Sequence, residues 1–154
     1  MGGQVIAVCI SERKGTPKRN IERSFLIENR GLEGDAHAGD WHRQVSLLAE
    51  ESIEKMRMKG FDVKSGGFAE NIATRDIDLA SLPAGTRLQV GKDVILEVTQ
   101  IGKPYHDRRV IGHQADNCVI SRESVFAREG IFANVIKGGE VKVGDAICAE
   151  GQSL

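Results

Sequence analysis

Residues 86–98 read Thr-Arg-Leu-Gln-Val-Gly-Lys-Asp-Val-Ile-Leu-Glu-Val. Thr86, Leu88 and Val90 alternate with polar neighbours, and Val94, Leu96 and Val98 do the same after a Gly91-Lys92-Asp93 break. Side chains at every second position of an extended chain share one face, so two such runs around a glycine-containing break predict a β-hairpin. The pattern recurs outward in both directions. Residues 4–10 form a continuous apolar run of strand length, residues 22–28 carry Phe25 and Ile27 on one face, and residues 44–48 read as a short strand. Toward the C-terminus, residues 131–137 and 140–143 flank Gly138-Gly139, which predicts a second hairpin.

One segment has the helical period. Residues 50–59 present Ile53, Met56 and Met58 as a modest apolar face, and Gly60 is a natural C-terminal stop. A shorter helix is expected at residues 121–128, with Ser121 as cap, inside a stretch from Tyr105 to Gly130 that has no strand pattern. A loop of that length in a compact domain is uncommon and often functional. Six to eight short strands with few helices predict a mainly β, barrel-like domain rather than alternating βαβ units.

Composition agrees. A chain of 154 residues is expected to form one domain, residues 1–154, with a core large enough to need no disulfide or metal staple. Aromatics are only 5%, so the core is aliphatic. The 18 glycines exceed the usual share of roughly 7% and imply many turns. A net charge of −1 argues against a general nucleic-acid binder. Cys9, Cys118 and Cys148 are odd in number, far apart and without a CxxC pair, which disfavours a disulfide framework or zinc ribbon and makes a reducing cytoplasm the expectation. No stretch reads as a membrane span or a signal peptide, and Ile6 breaks the myristoylation pattern.

Three patches could carry chemistry. Gly34 to Arg43 packs Asp35, His37, Asp40, His42 and Arg43 between glycines; it could ligate a metal or seat an anion, or be a loop whose aspartates cap backbone N–H groups. Its spacing matches no standard zinc pattern. Lys103-Pro104-Tyr105-His106-Asp107-Arg108-Arg109 follows a strand; its cations could hold a phosphate or form a solvated turn. Gly66-Gly67-Phe68-Ala69-Glu70-Asn71 could be a capped turn or a ligand-contacting loop. Nucleotide fingerprints and the GxSxG elbow are absent. Cys118 lies in the irregular stretch and is the accessible thiol expected, whereas Cys9 and Cys148 lie in apolar runs and read as core.

In this order, the patches resemble the MOSC domain, named after the C-terminal domain of molybdenum-cofactor sulfurases. The resemblance is carried by Gly31-Leu32-Glu33-Gly34-Asp35-Ala36-His37-Ala38-Gly39, Arg43-Gln44-Val45-Ser46-Leu47-Leu48, Phe68-Ala69-Glu70-Asn71-Ile72, Leu82-Pro83-Ala84-Gly85-Thr86-Arg87-Leu88 and Leu96-Glu97-Val98-Thr99-Gln100-Ile101-Gly102-Lys103. The C-terminal part, Cys118 through Arg128 and Val135 to Ile147, looks like the small stand-alone bacterial members and also like those fused to molybdopterin-processing domains. The resemblance implies a β-barrel-like fold and binding of molybdenum cofactor (molybdopterin), a pterin whose dithiolene holds the metal and whose phosphate needs basic contacts. It also implies sulfur carriage for metal-sulfur clusters or, in some branches, reduction of N-hydroxylated compounds. Pyridoxal phosphate is a weaker, family-level association, and proteins of molybdenum-cofactor biosynthesis are the implied partners, with neither nucleic acid nor membrane.

Carried over by position, His37, Arg43 and Ser46 would lie near the pocket, Glu70 and Asn71 would shape it, and Lys103, His106 and Arg108 would meet the anionic end. The family places a cysteine, its presumed molybdenum ligand or sulfur carrier, where this chain has Tyr105. A phenol forms no persulfide, and its reference pKa near 10 makes it a poor anionic ligand. Three functions follow as expectations: a cofactor-dependent sulfur transferase or oxidoreductase with Cys118 as the catalytic thiol, a non-catalytic cofactor-binding module, or a divalent-metal hydrolase built on Asp35, His37 and His42.

Overall fold

The computed structural model describes residues 2–13, 18–102 and 129–150. Among these, the strands are β1 (Gly3–Ile10), β2 (Arg19–Asn20), β3 (Arg23–Ile27), β4 (Gly31–Leu32), β5 (Val45–Ala49), β6 (Ile72–Arg75), β7 (Arg87–Val90), β8 (Val94–Ile101), β9 (Ile131–Lys137), β10 (Gly139–Lys142) and β11 (Ala146–Ala149). One α-helix, α1 (Glu50–Met58), and one 3-10 turn at Leu79–Ser81 lie wholly within the described residues.

Seven strands close a mixed barrel in the order β1-β11-β7-β8-β9-β5-β6, with β6 pairing back to β1. Full closure removes the unpaired edges that an open sheet would expose. The pairs are antiparallel except β5–β6. Parallel neighbours need a crossover, and α1 lies on it. Strand β2 pairs with the far end of β1, and a separate three-stranded sheet runs β10-β3-β4.

Strand alternation sorts the side chains into two apolar clusters. Val5, Val8, Val45, Leu47, Ile72, Leu88, Leu96, Val98 and Ile147 are among those in the larger, interior cluster. Ala7, Cys9, Leu48, Ile53, Met56, Phe68, Ala73 and Phe132 form the smaller one, on the opposite face of the same strands and under α1. Strand β5 is therefore buried on both faces. Full burial of an aliphatic side chain stabilises by about 1.5–3 kcal/mol, so the docking of α1 rests mainly on Ile53 and Met56. Glu50 and Glu51 in its first turn and Lys55 and Arg57 in its last complement the helix dipole.

The first hairpin forms as predicted, with Val90 opposite Val94 and Leu88 opposite Leu96. The second does not. Strand β9 has both edges taken, by β5 and β8, so the chain leaves the barrel after Lys137 and β10 pairs with β3 instead, Glu140 opposite Phe25. The crossing runs so close to β3 that a Cβ on Gly138 would stand 2.4 Å from the Leu26 carbonyl oxygen. The expected face of α1 also needs correction. Met58 is 82% exposed, because two residues beyond Met56 a helical side chain points to the opposite side. Phe25 and Ile27 do share a face, but it is the exposed one, and Leu26 between them is the core residue. The helix expected at residues 121–128 lies outside the described residues.

Candidate functional site

The site is built on the outer face of the barrel. Pairing in register places Ser46 of β5 beside Phe132 of β9, and Phe132 beside Gln100 of β8. On the other side Ser46 meets Asn71, just before β6. The Asn71 Oδ1 accepts from the Ser46 backbone N–H at 2.9 Å, and its Nδ2 donates to the Cys9 carbonyl of β1 at 3.0 Å. The Ser46 hydroxyl accepts the Asn71 N–H at 3.0 Å and shares its own hydrogen between Asn71 Oδ1 at 3.2 Å and the Ala69 carbonyl at 3.3 Å. One seam thus runs across four strands and the residue that leads into β6, in the order Cys9, Asn71, Ser46, Phe132, Gln100.

The loop from Gly34 to Arg43 lies along this seam and is fastened by Asp35. Its Oδ1 accepts from Lys18 Nζ at 2.6 Å and from the Ser11 N–H at 3.1 Å, and its Oδ2 accepts the His37 N–H at 3.1 Å. The side chains of Lys18 and Asp35 are 1% and 0% exposed, so this is a buried ion pair. Burial alone would raise the Asp35 pKa. The Lys18 hydrogen bond and charge, helped by Ser11 and Asn71, outweigh it and hold the carboxyl below its ordinary 3.8. The Lys18 ammonium spends its other hydrogens on Ser11 Oγ at 3.3 Å and His37 Nδ1 at 3.0 Å.

Glu70 closes the seam from behind. Fully buried, it accepts the Gly66 N–H at 2.6 Å and the Phe68 N–H at 3.1 Å, and so caps the tight loop that carries Ala69 and Asn71. Burial is the dominant influence on its carboxyl and pushes the pKa up to about 7 against those N–H donors. The same surroundings push the Cys9 thiol up to about 12, mainly through burial and secondarily through Glu70, with Lys18 opposing. Cys9 is a core residue at neutral pH and no thiolate.

At the other end of the seam, His42 Nε2 donates to Gln100 Oε1 at 3.1 Å and Arg43 Nε donates to the same oxygen at 3.3 Å. The Thr99 hydroxyl donates to the His42 carbonyl. The Arg43 guanidinium carbon stands 5.1 Å above the Phe132 ring, a cation–π contact. Trp41 Nε1 donates to the His37 carbonyl at 2.8 Å and ties the two ends together. Beside this point the chain leaves β8 at Gly102 and returns at Gly130, whose carbonyl accepts the Gly102 N–H at 2.6 Å.

The structure therefore places His37, Arg43, Ser46, Glu70 and Asn71 along one seam, with His37 and Arg43 toward its two ends and Ser46, Asn71 and Glu70 as its buried scaffold. Lys103, Tyr105, His106, Arg108 and Cys118 lie outside the described residues. Lys18, the central cation, was missed by sequence reading. Alone in a polar loop, it carries no signal that separates it from a solvated lysine. Among the described residues no three His, Cys, Asp or Glu side chains converge as a metal site, and both Asp35 oxygens already serve Lys18 and the backbone. The divalent-metal arrangement expected of Asp35, His37 and His42 is not formed: Asp35 turns inward to the ammonium, while His42 turns to Gln100.

The family profile of the MOSC domain matches residues 34–148. Among solved structures, the YuaD protein of Bacillus subtilis superposes with a TM-score of 0.76 at 20% identity, covering 96% of this chain and 94% of that one. YiiM of Geobacillus stearothermophilus gives 0.67 at 13% identity, covering 96% of this chain and 74% of that one. YiiM of Escherichia coli gives 0.64 at 18%, covering 99% and 71%. The curated protein sequences hold no match. At these identities the structural likeness speaks for the fold. No helix among the described residues is long and apolar enough to cross a membrane. A closed mixed barrel, the polar seam on its outer face and a family profile that runs from the Asp35 loop to β11 agree: the chain belongs to the MOSC domain family.

Proposed function

We propose that this MOSC domain binds the molybdenum cofactor along the polar seam, its phosphate and pterin held by the cations and amides that meet there. The observation that carries this reading is the meeting of His42, Arg43 and Gln100 beside the Gly102–Gly130 junction, to which His37 at the other end of the seam is tied through the Trp41 N–H on its carbonyl. That junction is where the chain bearing Lys103, Tyr105, His106, Arg108 and Cys118 departs and returns. The donor chemistry fits the phosphate and pterin end of the group. Arginine offers a planar fork to phosphate oxygens, and imidazole N–H and amide groups suit a pterin edge.

The described residues do not fit the metal end. Cys9 is protonated and buried, and Cys148 sits in β11, which pairs with β1 and β7 away from the seam. When bound, the cofactor would supply a metal centre able to carry sulfur or oxygen. This chain's own residues would bind and orient it: Arg43 braced on Phe132 and Gln100, and His37 braced on Lys18. With Tyr105 at the family's cysteine position, retention of cofactor is the primary role, and sulfur transfer depends on Cys118. The partners that follow are the cofactor itself and the proteins that make or receive it.

Purified protein is tested by metal analysis, by fluorescence of its oxidised pterin extract and by uptake of added cofactor. Bound or acquired pterin, lost in Arg43→Ala, is the expected result. Protein that holds no pterin and takes up none ends the proposal. Cys118→Ser separates the two roles: unchanged cofactor with lost activity assigns the thiol to catalysis, and no change in either assigns the domain to binding alone.

A further inference from the structure

The buried lysine decides what His37 can bind. An ammonium has three donors and no acceptor, so Lys18 Nζ, 3.0 Å from His37 Nδ1, requires that nitrogen to be an acceptor. The Lys18 ammonium faces the Asp35 carboxylate at 2.6 Å, and the Ser11 hydroxyl takes a further hydrogen at 3.3 Å. The Asp35 Oδ2 is 3.9 Å from His37 Nδ1 and accepts the His37 backbone N–H instead, so it offers no competing partner within hydrogen-bond reach. A neutral imidazole with an unprotonated Nδ1 carries its proton on Nε2.

We propose that Lys18 is a positioning residue that locks His37 as the Nε2–H tautomer and so makes it a hydrogen-bond donor to an acceptor-rich ligand such as a phosphate, closed to metal ions. Ligation through Nε2 would require the proton to move to Nδ1, where the ammonium already stands. Ligation through Nδ1 would require displacing Lys18 from a pocket in which its side chain is 1% exposed. Among the described residues, the titratable groups against the ring are Lys18 and Asp35, with Cys9 in electrostatic reach of Lys18 and Glu70 in reach of Cys9. The assignment rests on the reading that ligand binds along this seam, but it concerns the ring itself and is tested without cofactor.

The test is nitrogen NMR of the imidazoles in the full chain at neutral pH, with His37 assigned by its loss in His37→Gln. The expected wild-type signature is an unprotonated Nδ1 and a protonated Nε2, unmoved by an equivalent of zinc chloride. Lys18→Arg retains that signature, since a cationic donor still faces Nδ1. In Lys18→Met/Asp35→Asn, which removes both charges together, His37 becomes a mixture of tautomers and shifts with zinc. A protonated Nδ1 in the wild type, or a zinc shift of its His37 signals, overturns the proposal whether or not any variant folds. A double variant that folds and keeps the wild-type tautomer overturns it too. None of these readings depends on pterin uptake.

Discussion

At the scale of single residues, charge burial dominates. Removing one partner of a buried ion pair strands the other, which typically costs about 3–5 kcal/mol. Asp35→Ala leaves the Lys18 ammonium without its carboxylate, so its denaturant midpoint falls by that equivalent; a change below 1 kcal/mol, on this roughly 3–5 kcal/mol scale, would show that the pair is not formed in solution. The pH dependence divides between two carboxyls with opposite signs. Asp35 is depressed, so its contribution is present above the unfolded value of 3.8 and is lost as pH falls through the lower folded value. Glu70 is raised from 4.5 to about 7, so the folded state binds the extra proton between those values. Stability therefore declines as pH rises across that window and is flat above it, by on the order of 1–3 kcal/mol. Denaturant midpoints at pH values inside and above the window check this. The decline is present in the wild type and absent in Glu70→Gln, and an equal slope in both would refute the assignment to Glu70. The Cys9 thiol, at about 12, stays unlabelled by thiol reagents in the folded protein and reacts on unfolding.

At the scale of elements, the strands were legible wherever one face is buried and the other wet. The 86–98 hairpin shows this, since the period of its apolar residues is the period of the fold. Partner choice was not. Residues 131–143 have the pattern of a hairpin, and only the occupation of both β9 edges sends β10 to β3, a fact about strands far away in sequence. The site was legible as a polar glycine-bracketed loop because Asp35, His37 and Arg43 are adjacent in sequence. Its counterion was hidden, because Lys18 arrives from another loop. The junction of those loops gives an element-scale prediction. Gly66 has φ of +88°, its carbonyl accepts the Lys18 N–H at 2.8 Å, and a Cβ there would stand 2.1 Å from the Lys18 carbonyl oxygen. Gly66→Ala therefore forces the Lys18 strap away from β1 and costs more than the roughly 1 kcal/mol of an unstrained glycine change. Met58→Lys, on the exposed side of α1, alters stability by no more than about 0.5 kcal/mol. Thermal unfolding of the two variants tests the contrast, and equal midpoints would contradict the close approach.

At the scale of the whole molecule, closure is the property on which the site depends, because the seam crosses four strands and the lead-in to β6, whose spacing is fixed only while the ring is intact. The last strand completes it. Within β11, Ile147 sits opposite Val90 of β7 and opposite Gly3 of β1, and its side chain is fully buried in the interior cluster. The register with β1 is short, two pairs against three with β7, so this seam of the barrel is its narrowest paired joint. The neighbouring turn reinforces it: the Val5 N–H donates to the Asp145 carbonyl at 2.8 Å, and the Gly144 N–H returns a bond to Val5 at the same length. Truncating a fully buried isoleucine to alanine removes about 2–5 kcal/mol. In a closed ring that loss is not local, since freeing β11 exposes one edge of β1 and one edge of β7 together. Ile147→Ala should therefore lower amide-exchange protection in β1, β7 and β11 by a common amount, equal to the fall in global stability. Protection lost in β11 alone would mean that this strand opens as a separate unit and that the seam stands on β5, β6 and β9 without closure of the ring.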